Sequence, residues 1–265
     1  MSERDRLPRA RKRFGQNFLQ DHSVIDRIVQ AIDPRPGQRV VEIGPGRGAL
    51  TIPLLKTLGR LEVIELDRDL VAWLGRELTA HGELVVHEAD ALSFDFRALA
   101  AGGALRIAGN LPYNISTPLL FHLFDQGDAV QDMHFMLQKE VVDRLAAEPG
   151  SKTYGRLSVM AQYHCRVVPL FDVPPHAFHP APKVDSSVVR LLPHATPPVD
   201  VTHIENLDRV VAKAFMQRRK TLRNGLRELL DEAQIRAAGI DPAIRAERLS
   251  LAEFAALANR LDAGA

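Results

Sequence analysis

From Arg39 onwards, short apolar runs alternate with segments of helical periodicity, and this alternation restricts the fold more than any other feature of the chain. Strands that alternate with helices call for a mostly parallel sheet with helices on both faces, because each parallel connection must cross over the sheet and a helix is the usual crossover. Ligands of such sheets bind outside the carboxyl ends of the strands. Three successive runs finish at a carboxylate: Val40-Val41-Glu42, Leu61-Glu62-Val63-Ile64-Glu65 and Leu84-Val85-Val86-His87-Glu88-Ala89-Asp90. Parallel strands bring their ends to one edge, so Glu42, Glu65 and Asp90 are expected to stand there as three acceptors. The expected class is α/β, a Rossmann-like sheet with helices on both faces.

The first run breaks into Gly44-Pro45-Gly46-Arg47-Gly48 ahead of the helical pattern Leu50 to Leu58, which reads as strand, tight loop and helix. Gly44 and Gly46 permit positive φ and close approach of a ligand to the backbone. The spacing is G-x-G-x-G behind an acid, whereas pyrophosphate-binding dinucleotide folds use G-x-G-x-x-G opening onto a helix N-terminus. A carboxylate at Glu42 repels pyrophosphate and suits a cation, and S-adenosylmethionine carries both an ammonium and a sulfonium group. Two roles are open for Glu42: direct contact with such a donor, or hydrogen bonding of the loop. Glu65, about 20 residues beyond the glycines, stands where an acid accepts from ribose hydroxyls. Asp67 and Asp69 read as cap and first-turn acid of the helix running through Trp73. Asp90 either accepts from the donor's adenine amine or is a solvated strand end.

A further apolar run, Leu105 to Ala108, leads into Asn110-Leu111-Pro112-Tyr113. An exocyclic amine is a poor nucleophile because its lone pair is delocalised into the ring, so an enzyme alkylating it needs acceptors that hold the NH2 group. Asn110 offers a side-chain oxygen and Leu111 a backbone carbonyl. Pro112 removes a backbone donor and biases Leu111 towards an extended conformation, and Tyr113 offers a flat face to a base. An isolated N-x-P-Y fits a plain strand and proline turn equally well. The donor loop at the same sheet edge favours the chemical reading. A nicotinamide-dependent oxidoreductase would share the sheet and Glu65, but neither the loop spacing nor the N-L-P-Y segment suits it.

Taken together, these motifs resemble the ribosomal RNA adenine dimethyltransferases of the KsgA type, over nearly the whole chain. The resemblance rests on Arg11 to Leu19 (RKRFGQNFL), Glu42 to Gly48, Asn110 to Tyr113, Phe135 to Glu140 (FMLQKE), Tyr154 to Ser158 (YGRLS), and Phe178 with Pro180, Pro182, Val184 and Ser186. It implies a donor site lined by Asn17, Leu19, Gly44, Glu65, Asp90 and Asn110, with Gln16 in a segment folded over the donor. Without the resemblance, Gln16 to Leu19 reads equally as a cap ahead of the following helix. It implies methyl transfer from S-adenosylmethionine to N6 of two adjacent adenosines, each dimethylated, in the 3′-terminal hairpin of small-subunit rRNA late in 30S biogenesis. Tyr113 and Phe178 would then sandwich an adenine taken out of its stack, with turn packing among the neighbouring prolines as the other reading of Phe178. An assembly factor whose methylation is secondary, and a large-subunit rRNA adenine methyltransferase, remain as alternatives.

Charge agrees only locally with a polyanionic partner. The net charge is +1, but Arg4, Arg6, Arg9, Arg11, Lys12 and Arg13 face only Glu3 and Asp5, and six basic residues lie between Lys213 and Arg227 with no acid from Ala214 to Arg227. Arg11, Lys12, Arg13, Lys139, Arg144, Arg218, Arg219, Lys220 and Arg223 are the candidate contacts to rRNA in an immature 30S subunit; a solvated surface is the competing reading. The lone Cys165 excludes an internal disulfide and a thiolate zinc site, and the ten histidines show no ligand spacing, so no metal is expected. The basic N-terminus lacks a following apolar segment, which argues against a secretory signal or membrane span and for a cytoplasmic protein, expected to be monomeric.

Ser23 to Ile32 reads as a helix ended by Asp33-Pro34-Arg35-Pro36-Gly37. Ser116-Thr117-Pro118 is expected to open a helix by capping, Met133 to Leu137 to form a buried strand, and Gly155 to Gln162 a helix. Tyr163 to Leu170 and Ser187 to Leu192 are expected to close the sheet as an antiparallel pair. Three prolines between Pro193 and Val201 mark the domain boundary. It separates a methyltransferase domain, 1–192 with a donor-covering segment at 1–22, from a small helical RNA- or ribosome-contacting domain, 193–265.

Overall fold

The computed structural model describes Arg11 and residues 15–261. In chain order the elements begin with β1 (Phe18–Leu19), α1 (His22–Ile32), β2 (Val40–Ile43), α2 (Thr51–Leu58), β3 (Arg60–Glu65), α3 (Arg68–Glu77), β4 (Glu83–Glu88), α4 (Phe96–Ala100), β5 (Leu105–Asn110) and α5 (Ser116–Phe124). They continue with β6 (Val130–Gln138), α6 (Lys139–Leu145), α7 (Arg156–His164), β7 (Cys165–Val173), β8 (Phe178–His179), β9 (Ser186–Pro193), α8 (Ile204–Met216), α9 (Leu222–Gly225), α10 (Glu232–Ala237) and α11 (Leu251–Ala258).

Seven strands form one sheet in the order β4-β3-β2-β5-β6-β9-β7. The pairs from β4 to β6 are parallel, and β9 lies antiparallel to β6 with Met133 opposite Leu191. Strand order reverses between β2 and β5, so successive connections leave towards opposite sides and open a crevice at the carboxyl ends of these two strands. The backbones are tight there: a Cβ on Gly109 would sit 2.4 Å from the Ile43 carbonyl oxygen, so only glycine fits.

Local sequence accounts for most elements. The α1 helix starts at Asp21, whose carboxylate accepts from Ser23 N at 2.9 Å, and ends at Asp33 in the left-handed region, φ +47°. Its Val24, Ile25, Ile28 and Ile32 recur at helical spacing and enter a core with Val40, Leu54, Leu61, Val63 and Leu74. Two expectations are corrected. Ser116 does not cap α5: it is the first helical residue, its hydroxyl donates back to the Tyr113 carbonyl at 3.2 Å, and Ile115 occupies the cap position. The expected strand from Tyr163 begins at Cys165 instead, because the Cys165 N–H still bonds the Ala161 carbonyl and holds Tyr163 and His164 in α7.

A second, two-stranded sheet pairs β1 antiparallel with β8, Phe18 opposite His179 and Leu19 opposite Phe178. Two residues carry no periodicity, so this pairing has no local signature. The chain divides into two compact units, Met1–Val142 with Val168–Pro193, and Asp143–Val167 with His194–Ala265. A single cut at 193 misses the contribution of 143–167 to the second unit. In that unit α7 packs on α8 and α11, and the Phe215 ring meets Tyr154 at 6.0 Å and Phe254 at 5.7 Å. Among the described residues no helix is long and apolar enough to cross a membrane.

Candidate active site

The crevice at the reversal of strand order is a cavity of about 320 Å³. Its wall contains Gln16, Asn17 and Leu19, Glu42 with Gly44 and Gly46, Glu65, Asp90, and Asn110 through Tyr113. The residues proposed to bind the donor and those proposed to hold the acceptor amine thus share one space. Gly15, Phe18, Arg47, Leu66 and Asn114 also line it and were not singled out from the sequence. Of these, Leu66 is 49% exposed, an apolar side chain left uncovered beside Glu65. Only its position directly after a strand-ending acid could have pointed to it.

The glycine loop leaves β2 with Gly44 at φ +67° and Gly46 at φ +55°. The Gly44 N–H bonds the Ile64 carbonyl at 2.9 Å, which ties the loop to β3. A Cβ on Gly46 would lie 3.2 Å from the Phe18 ring, so β1 rests on the loop. The Arg47 guanidinium carbon then stands 4.3 Å from the centre of that ring, a cation–π contact.

Glu42 sits near the end of β2, 2% exposed, and its Oε2 has no hydrogen-bond partner. Burial pushes its pKa up to about 8, with the Thr51 hydroxyl opposing and the Glu65 charge adding to the rise. A buried carboxyl with an unused oxygen is costly to ionise until a cation or donor reaches it. That fits a ligand bearing an ammonium group better than one bearing phosphate. Glu65 is held more firmly: its Oε1 accepts from Leu66 N and Asp67 N, both at 2.9 Å. Burial raises its pKa, and the amides of Asp67, Leu66 and Gly46 work against that rise. Asp67 and Asp69 serve α3 as expected, Asp67 Oδ1 accepting from Asp69 N at 3.2 Å. Asp90 lies two residues beyond β4, exposed, with Oδ1 accepting from Leu92 N at 2.9 Å.

Asn110 ends β5, and its Nδ2 donates to the Asn17 carbonyl at 3.1 Å. A carbonyl oxygen only accepts, so the NH2 side of the amide must face Asn17, leaving Oδ1 for another donor. Leu111 N bonds the Met136 carbonyl at 3.2 Å, and Ile115 N bonds the Pro112 carbonyl at 3.2 Å, which fixes the turn. The Tyr113 hydroxyl shares a 2.9 Å hydrogen bond with Ser186 Oγ, and burial raises its pKa, so the phenol stays protonated. Phe178 is not on the cavity wall. Opposite Leu19 in the β1–β8 ladder, it is 5% exposed and packs in the core with Ala108, Met136 and Val188. Among the described residues, the aromatic side chains on the cavity wall are Tyr113 and Phe18, and Tyr113 follows Asn110 in the same turn.

The basic residues divide. Arg11 is bound to Asp67 at 3.0 Å and to Asp69, Lys139 pairs with Asp172 at 3.2 Å, and Arg144 is half-buried. Arg218 donates through Nε to Glu247 at 3.1 Å and through Nη2 to the Lys152 carbonyl at 2.5 Å. Arg219, Lys220 and Arg223 are exposed. Lys12 and Arg13 lie outside the described residues. Among the described residues no group of three or more His, Cys, Asp or Glu side chains could hold a metal ion.

Known proteins share both the sequence and the fold. A protein called ribosomal RNA small subunit methyltransferase A in Methylococcus capsulatus is 60% identical over 252 residues, covering 95% of this chain and 98% of that protein. A protein of the same description in Yersinia pestis is 58% identical over 256 residues, covering 96% and 94%. The crystal structure of a dimethyladenosine transferase from Plasmodium falciparum superposes with a TM-score of 0.74 at 25% identity, covering 91% of this chain and 95% of that one. The 23S rRNA methyltransferase ErmE superposes at 0.72, also at 25% identity, covering 93% and 100%. A sequence profile described as ribosomal RNA adenine dimethylase matches residues 8–263, a span that includes the glycine loop, the three acids and the Asn110 turn, and the chain belongs to the ribosomal RNA adenine dimethylase family.

Proposed function

We propose that this chain uses S-adenosylmethionine to dimethylate N6 of two adjacent adenosines in the 3′-terminal hairpin of small-subunit rRNA, acting on an immature 30S subunit. The observation that carries this reading is that Glu42, Glu65 and Asp90 share a single cavity with Asn110, Leu111 and Tyr113. The unpartnered Glu42 Oε2 suits the donor's ammonium, Glu65 its ribose and Asp90 its adenine amine. When bound, the donor supplies a methyl group already activated by the sulfonium.

What the chain adds is placement rather than strong base catalysis. Asn110 Oδ1 and the Leu111 carbonyl accept from the target NH2, which draws nitrogen lone-pair density out of the ring and aims it at the methyl carbon. Tyr113 supports the base by stacking, worth about 1–3 kcal/mol. As the nitrogen–carbon bond forms, the carbon–sulfur bond breaks, and the proton lost from nitrogen leaves to water. The second transfer repeats this on the methylated nitrogen. Residues 193–265 serve as the RNA- or ribosome-contacting part, through Arg219, Lys220 and Arg223, and the protein works in the cytoplasm as a monomer.

Immature small subunits, large subunits, naked rRNA and DNA incubated with methyl-labelled donor test this reading, followed by mapping of modified bases. Label on two adjacent adenosines of the small-subunit hairpin supports it. Label on large-subunit adenine transfers the chain to that alternative, and donor binding without label on any substrate leaves an assembly factor.

A further inference from the structure

Arg11 was read from the sequence as a phosphate contact, yet its guanidinium is turned into the protein. Nη1 donates to Asp67 Oδ1 at 3.0 Å and Nη2 to Asp69. Its backbone N–H donates to Gln16 Oε1 at 2.8 Å, and Gln16 Nε2 donates to Asp67 Oδ2 at 3.3 Å. Asp67 is therefore a hub. Only 3% exposed, it receives Arg11, Gln16 and the Asp69 amide, and it stands two residues after Glu65. The segment fastened there continues directly through Asn17, whose carbonyl receives Asn110 Nδ2 at 3.1 Å, and into β1.

We infer that Arg11 is a positioning residue of the transfer site: its pairing with Asp67 and Asp69 holds the Asn17 carbonyl against the Asn110 amide and so keeps Asn110 Oδ1 turned to the target amine. The inference rests on the donor and acceptor sites proposed above. Its physical basis is the limited freedom of an amide side chain. An Asn without a fixed partner can present either NH2 or oxygen to a ligand, and an NH2 facing an amine is repulsive. One carbonyl placed on the NH2 side removes that ambiguity. The carbonyl belongs to a segment with only two paired residues in β1, so the segment needs a second anchor. Arg11 supplies it from a position where it accepts no role in binding a phosphate without first giving up two carboxylates.

The test compares wild type with Arg11→Ala and Arg11→Lys. Donor affinity, kcat and KM for small-subunit particles, thermal melting, and the salt dependence of rRNA binding are measured on the full-length protein. Arg11→Ala is expected to weaken donor binding about three- to tenfold and to lower kcat by more than it raises KM for the particles. Melting should fall modestly because Asp67 is left buried without its cation, the salt slope should stay unchanged, and amide hydrogen exchange at Asn17 to Leu19 should accelerate. Arg11→Lys, whose ammonium still pairs with Asp67, should recover much of both losses. Unchanged donor affinity and kcat in Arg11→Ala, with a salt slope reduced by about one, would make Arg11 a phosphate contact and overturn the inference. Loss of activity that Arg11→Lys does not restore would overturn it as well. Failure of wild type itself to bind the donor would instead defeat the donor-site reading on which it stands.

Discussion

Two buried carboxylates on the same sheet, each 2% exposed, meet opposite treatment. Asp132, near the start of β6, accepts from Arg106 Nε and Nη2, both at 3.0 Å, and from Arg190 Nη2 at 3.3 Å. Arg106 in turn reaches Gln38 Oε1 at 2.8 Å and the Ile32 carbonyl at 2.5 Å, closing the C-terminal end of α1. Glu42, near the end of β2, has an oxygen with no partner. The first acid is held in a network that satisfies its charge, and the second keeps one oxygen with no partner among the described residues. In this sheet the amino end ties Asp132 internally, although His134 Nε2 and Arg190 Nε there have no partner, and the carboxyl end leaves a carboxylate oxygen open where a ligand can complete it. His134, cross-strand from Arg190, belongs to the tied end: burial, together with Arg106 and Arg190, lowers its pKa to about 4 despite Asp132, so it stays neutral near pH 7.

The largest effect should come from breaking the tied end. Asp132→Ala leaves Arg106 and Arg190 without their shared carboxylate, and removing one member of a buried pair costs about 3–5 kcal/mol. Urea denaturation should show that loss, whereas donor affinity of the folded fraction should be unchanged. A cost below about 1 kcal/mol would mean the network contributes little.

At the open end the loss should appear in rate. Asn110→Ala removes an acceptor aimed at the reacting nitrogen, and removal of one preorganised polar group typically costs about 10²–10³ in kcat. Stability should hardly move and the donor should still bind measurably. Turnover within a few-fold of wild type would take Asn110 out of the mechanism.

The smallest effect, and the sharpest probe of the contrast, is the titration of Glu42. Its pKa in the folded, donor-free protein is raised from 4.5 to about 8, so the stability linked to its proton is complete below 4.5 and is lost as pH rises through about 8. A cationic donor favours the ionised form. Binding should therefore release a proton below pH 8, and donor Kd should fall with rising pH by up to about tenfold per unit. Calorimetry in buffers of different ionisation enthalpy counts that proton. Glu42→Gln should abolish the release and the slope, weaken donor binding, and raise Tm most above pH 8. Proton release that persists in Glu42→Gln would assign it to another group.

The βα alternation and the acids near three run ends were legible because each is local, apolar period, glycine spacing and an acid behind a run surviving in any window of the chain, but only Glu65 ends its strand: β2 runs on to Ile43 and β4 stops at Glu88, two residues before Asp90. The turn at Asn110 was legible for the same reason. Phe178 was not. Its motif is visible, but its side chain goes to the core because it faces Leu19, 159 positions away in the chain, across a ladder of two residues. Arg11 sits among arginines and lysines that look alike in sequence, and only its distance from Asp67 and Asp69 separates it from Arg219 and Lys220. The second unit shows the same limit, since 143–167 joins the C-terminal helices through rings that no linear window contains together.

By itself the amino-acid order determined which backbone forms here and which chemical groups end each strand, because propensity, periodicity and turn chemistry act over a few residues. Tertiary structure decided which of those groups keep an unused atom and which are consumed in pairs. That choice depends on neighbours brought together by folding: Glu42 keeps one oxygen without a partner and Asp132 has two arginines, yet both are acids in apolar strands.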